Sequence, residues 1–172
     1  MILAFDTYYF ENKARTIAIE FDNWTDEVPK KVHQFITEDI AEYESGQFYK
    51  RELPCILDVL KPLDLSKIDI IVVDGFVYLD DAKKLGLGGY LYEALNKQIP
   101  IIGVAKNSFA TINDLQRSLM RGESKKPLHI TAVGVDLDFA TDCIRNMHGD
   151  YRFPTLLKLV DGYSRDLIEE TK

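Results

Sequence analysis

The chain has 172 residues, of which 46% are hydrophobic and 28% charged, the composition of a soluble globular protein, and a single domain over residues 1–172 is expected. No apolar run approaches the ~20 residues of a membrane span, and "MILAFD" is too short and acidic for a signal peptide, so a cytoplasmic protein with no membrane role is expected. The net charge of −7 argues against simple electrostatic attraction to a polyanion, an argument that loses force if some carboxylates exist to hold metal.

In chain order, "MILAFDTYY" reads as a short apolar strand ending on Asp6. "ARTIAIEFDNW" alternates apolar and polar residues as a second strand does, and "KKVHQFIT" supplies a third, together an antiparallel meander. "YESGQFYKRELP" carries a glycine turn and leads into the helical stretch "LPCILDVLKPL". In "IDIIVVDG", Ile70 to Val73 run without a polar break, as a strand buried on both faces does, and the strand stops on Asp74. "LGLGGYLYEALNKQ" puts Leu87, Leu91, Ala94 and Leu95 on one helical face, and "IPIIGVAK" is a second buried strand. Strand, helix and strand at this spacing predict a right-handed parallel crossover.

"TINDLQRSLM" reads as a short helix, and "RGESKKPLHITAVG" as a polar loop entering another strand. "DLDFATDCIRNM" is a helix with Asp136 as its N-cap and Gly149 near its end, and Pro154 opens the last helix, "PTLLKLVDGYSRDLIEE". The order predicts an α/β fold with a ribonuclease-H-like mixed sheet, in which a three-strand antiparallel meander joins parallel strands flanked by helices. Cys55 and Cys143 lack CxxC spacing and read as reduced thiols. The sequence leaves the oligomeric state open, with a monomer favoured.

Four acids stand where burial would make them costly. Asp6 and Asp74 terminate strands, Glu52 stands where a loop becomes a helix, and Asp161 lies on the helical stripe Leu157, Asp161, Ser164, Ile168. Singly, each has an ordinary reading: a turn-starting aspartate, a helix-start glutamate, a solvated helix acid. Converging, they would form an oxygen-donor site for Mg²⁺ or Mn²⁺. Two such ions, about 3.5–4 Å apart, serve phosphodiester hydrolysis.

"FDTYY", "YESGQFYKRE", "VVDG", "KLGLGGYL", "IPIIGVAK" and "YRFPTLLKLVD" stand in an order and at gaps that resemble the endonuclease V family, the deoxyinosine-directed nucleases, from about Ile2 to Arg165. The resemblance implies that Asp6, Glu52 and Asp74 are metal-binding acids, with Asp161 at a further acidic position. It implies that Lys106 approaches the cleaved phosphate. A flipped hypoxanthine would be held largely by backbone near Gly46, Gly75, Gly86 and Gly103, with Leu87 as an apolar wall and Tyr43 as the strand-separating wedge.

The implied activity is Mg²⁺- or Mn²⁺-dependent hydrolysis of DNA 3′ to deoxyinosine. The sequence departs from the family where Glu44 and Ser45 follow Tyr43, and where Phe76, Val77 and "YLDDAKK" follow Gly75. Those departures keep two alternatives open, an inosine-directed endoribonuclease and a non-catalytic nucleic-acid-binding relative. Lys83, Lys84, Arg121, Lys125, Lys126 and Arg152 are candidates to track a phosphate backbone. His148 in "MHGD" reads as a turn residue.

Overall fold

A strand with apolar residues at every position needs cover on both faces, and the chain provides it. The computed structural model describes residues 1–40, 42 and 49–170. Strands β1 (Ile2–Phe10), β2 (Lys13–Phe21) and β3 (Lys31–Glu38) form the expected antiparallel meander. Helix α1 (Tyr49–Leu60) follows, then β4 (Ile70–Asp74), α2 (Leu87–Ala94) and β5 (Ile101–Ala105). The chain continues through β6 (Arg117–Leu119), β7 (Leu128–Val133), α3 (Leu137–Arg145) and α4 (Thr155–Glu170). The seven strands make one mixed sheet in the order β3-β2-β1-β4-β5-β7-β6. β4 lies parallel to both β1 and β5, while β7 runs antiparallel to β5 and β6.

Alternation along the strands divides the core into two layers. Ile2, Ala4, Val72 and Val104 pack with Ile144, Leu156, Leu157 and Val160, so α3 and α4 cover one face. Leu3, Phe5, Ile71 and Val73 pack with Ile56, Val59, Leu87 and Leu91, so α1 and α2 cover the other. The β1–β2 hairpin turns on Glu11 and Asn12, with φ of 47° and 63°, the left-handed pair that matches strand twist in a two-residue turn. Asp136 caps α3 as expected, its carboxylate accepting from Phe139 N at 3.0 Å. Among the described residues, no helix is long and apolar enough to cross a membrane.

Two expectations need correction. β1 does not end on Asp6 but passes through it to Phe10, because β2 goes on pairing beyond the point where β4 stops. "TINDLQRSLM" is not a helix. The N–H groups of Asn113, Asp114 and Leu115 donate to Asp81 Oδ1 at 3.0, 2.9 and 3.2 Å. Arg117, Ser118 and Leu119 then pair with Ile130, His129 and Leu128. A distant carboxylate and a strand edge thus take the backbone groups that a helix would have used.

Candidate active site

Strand register brings the first two acids together. β1 and β4 pair as Ile2↔Ile70, Leu3↔Ile71 and Ala4↔Val72. Continued by two residues, that pairing sets Asp6 level with Asp74, and alternation directs both toward the face covered by α4. Val104 of β5 is level with Asp74, so Lys106 follows two residues later on the same side. Its Nζ lies 4.5 Å from the centre of the Phe153 ring. Asp161 descends from α4, whereas Glu52 arrives from the opposite layer, in the first turn of α1. Asp6, Glu52, Asp74, Lys106 and Asp161 all line one cleft of about 410 Å³, with Gly75, Phe76, Leu87, Asn107 and Arg165 among its other walls.

The surroundings make ionisation costly. Burial, with lesser repulsion from Asp74 and Asp161, raises the Asp6 carboxyl to about 7. Burial likewise raises Glu52 to about 8, aided by Asp74 and Asp6 and opposed by Tyr9 and Arg51. Asp74 is raised by burial and by Asp161, against the pull of Lys106. Asp74 keeps a solvent-facing surface in the open cleft, but the protein around it withdraws much of the water that would stabilise its charge. Tyr9 stands beside Glu52, and its ring carries the Arg51 guanidinium at 3.7 Å. Arg165 Nη2 donates to Asp161 Oδ1 at 3.3 Å.

Ser164 is a participant that sequence reading placed on the stripe without giving it a role. It is fully buried, and its hydroxyl is shared between Asp6 Oδ2 at 2.7 Å and the Asp161 carbonyl at 2.9 Å. The bond favours the ionised form of Asp6 and fixes its orientation. Ser164→Ala should lower turnover at this cleft about tenfold, the scale of a hydrogen bond to a charged group. It should also move the acid limb of the pH–rate profile upward, because Asp6 loses the donor that holds its pKa down. An unchanged profile would remove Ser164 from the site.

The donor set suits a hard divalent cation: four carboxylates at one cleft, their charges held together at a cost that bound positive charge relieves. The side chains share the cleft without closing into a cage. Among the described residues, no three His, Cys, Asp or Glu groups form a ready ligand cluster. The fit is therefore one of chemistry and position.

The proposed base-pocket residues divide. Gly75 and Leu87 line the cleft. Gly75 has φ of +133°, and a Cβ there would point into open space. Gly86 and Gly103 instead pack behind the cleft. A Cβ on Gly86 would lie 2.4 Å from Phe76 O, and one on Gly103 2.5 Å from Gly75 O and 2.6 Å from Thr131 Oγ1. Gly103→Ala should therefore cost about 1–3 kcal/mol by overpacking, seen as a lower melting temperature. A wild-type melt would contradict this packing. Tyr43 and Gly46 lie outside the described residues.

Of the basic candidates, Lys83, Lys84, Lys125 and Lys126 are exposed. Arg121 is not available to a phosphate. It is buried and donates to the carbonyls of Tyr151 and Met147 at 2.6 and 2.7 Å, closing the loop that precedes α4. Arg152 is also spent on carbonyls, those of Lys106 and Pro127, and so braces the backbone of the cleft lysine.

The sheet order and its flanking helices define a ribonuclease-H-like fold. The endonuclease V model matches residues 1–135, and the chain belongs to the endonuclease V family. Membership places it among the nucleic-acid endonucleases. Asp161 lies beyond the matched span and joins the other acids at the cleft from α4. The endonuclease V of Streptomyces avermitilis superposes with a TM-score of 0.80 at 22% identity, covering 99% of this chain and 82% of that one. Ciona intestinalis endonuclease V, bound to a 23mer DNA containing an inosine followed by a ribo-adenosine, also superposes at 0.80, with 16% identity and coverage of 99% and 86%. Marinitoga piezophila Argonaute shares the fold at a TM-score of 0.52 and 11% identity, over 95% of this chain and 29% of that one. No curated protein matches the chain in sequence.

Proposed function

We propose that the protein is a Mg²⁺- or Mn²⁺-dependent endonuclease that hydrolyses a phosphodiester 3′ to deoxyinosine in DNA. The observation that supports this most is the meeting of four carboxylates and Lys106 at one cleft of an endonuclease V family chain. Asp6, Glu52, Asp74 and Asp161 would hold the metal. A divalent metal so held supplies Lewis-acid activation of water and offsets charge on the phosphate.

The chain's own groups do the rest. Lys106 places a cation where phosphate charge grows. Ser164 orients Asp6, and Gly75 leaves backbone open to a base. The inosine-containing DNA bound by the Ciona relative supports inosine as the lesion.

The test is an oligonucleotide with one deoxyinosine, incubated with Mg²⁺, with Mn²⁺ or with chelator, and its product ends mapped. One nick 3′ to inosine that needs metal is expected; cleavage that survives chelation would overturn the reading. The ribo-adenosine after inosine in the DNA bound by that relative also supports an inosine-directed endoribonuclease. Matched RNA and DNA strands decide between them by rate.

A further inference from the structure

Phe76 and Phe109 belong to neither apolar layer of the core. Their ring centres are 5.8 Å apart with planes inclined at 54°, and Phe109 is 41% exposed. Phe76 lines the carboxylate cleft together with Asp74, Lys106 and Asn107. Phe76 in the wall of a polar cleft, with the half-exposed Phe109 against it, leaves apolar surface in water unless a flat partner covers it.

The backbone beneath them is rigid. Gly75 N donates to Val104 O at 3.1 Å, and Val77 N to the buried Thr131 Oγ1 at 2.8 Å. Phe76 O accepts from Gly88 N at 3.1 Å, and Val77 O from Gly86 N at 2.9 Å. The segment carrying Phe109 is tied to the one carrying Phe76. Thr111 Oγ1 donates to Leu79 O at 2.6 Å, and Asp81 gathers the N–H groups that follow. Both rings are thus presented by one cross-braced unit, a preorganised surface.

We propose that Phe76 and Phe109 form a stacking platform for an unpaired nucleobase of the strand held in the cleft. The inference rests on the nuclease reading and adds how the strand is gripped. A base offers the flat apolar face that these rings lack, and Lys106 and Asn107 beside them suit its sugar–phosphate. Stacking tolerates any base, so the platform supplies affinity for a single-stranded or extruded segment, and base identity is left to polar backbone near Gly75.

The test uses an oligonucleotide with 2-aminopurine beside deoxyinosine, titrated with Mg²⁺ present in an Asp74→Asn background so that the strand stays intact. Quenching of 2-aminopurine on binding is expected. Phe76→Leu and Phe109→Leu should each weaken binding about tenfold and reduce quenching, the scale of one lost base–aromatic stack. Phe76→Tyr and Phe109→Tyr should restore both, and the salt dependence should not change, since no charge is removed.

Leucine variants that bind and quench as the aromatic protein does would overturn the platform, as would tyrosine variants no better than leucine. If either occurs while the otherwise wild-type protein still nicks the strand, only the platform falls. If the protein neither binds nor nicks, the nuclease reading falls and takes the platform with it.

Discussion

Asp74→Asn is expected to reduce metal-supported strand cleavage roughly 10²–10³-fold, the scale of losing one preorganised electrostatic group, while raising the melting temperature of the metal-free protein. Both effects come from one charge. Asp74 lies level with Asp6 in the sheet and raises the cost of ionising both Asp6 and Glu52. Asparagine keeps the shape and removes the repulsion, so the folded state gains what the site loses. Such opposed effects mark residues kept for chemistry at the expense of stability. Cleavage assays on inosine-containing strands and thermal melts in chelator read the two directions separately. Full activity in the variant would remove Asp74 from the proposed metal site; a lower metal-free melting temperature would contradict repulsion among the acids.

The second large effect is on stability against pH. Asp6 at about 7 and Glu52 at about 8 hold protons in the folded state that the unfolded chain has already released. Raised carboxyl pKa values mean that stability is greatest at low pH and is lost as pH rises from the unfolded values through the folded ones. One pKa unit is worth about 1.4 kcal/mol, but the groups open to a solvent-filled cleft, so a loss on the order of 2 kcal/mol between pH 6 and 8.5 is expected. For a chain of this size that is a fall of about 5 °C in melting temperature.

His129, held below its ordinary pKa by burial and by Arg152, acts in the opposite direction, and mainly below pH 6.5. Asp26, Asp64 and Asp81 have lowered pKa values and lose their contributions only at lower pH still. Adding Mg²⁺ should raise the melting temperature at pH 8.5 much more than at pH 6, because cation binding needs ionised acids. A metal-free melt that rises across this range, or a Mg²⁺ effect independent of pH, would contradict the assignment.

Much of this was legible in the sequence because burial leaves a signature. The unbroken run Ile70–Val73 announced a covered strand, which made the carboxylate after it conspicuous, and Asp161 stood out on a helical stripe between Leu157 and Ser164. What was not legible depends on distant partners. Ile112, Leu115 and Leu119 have helical spacing, yet Asp81 and β7 take the backbone donors of that segment. Arg121 looks like a surface cation until the carbonyls of the 147–151 loop close around it. Gly86 and Gly103 read as room for a base, and their neighbours turn out to be protein backbone. Ser164 needed the third dimension, since its partner lies at the other end of the chain.

The matched pairing of β1 and β4 gives the site a reading frame. Side chains alternate across a sheet, so one residue inserted between Ala4 and Asp6, or between Val72 and Asp74, would carry the acid through to the α1–α2 side and leave its place to an apolar neighbour. Two residues would restore its side but overshoot its level. Connecting loops can lengthen without consequence for the acids, whereas these two strands tolerate substitution far better than any change in length.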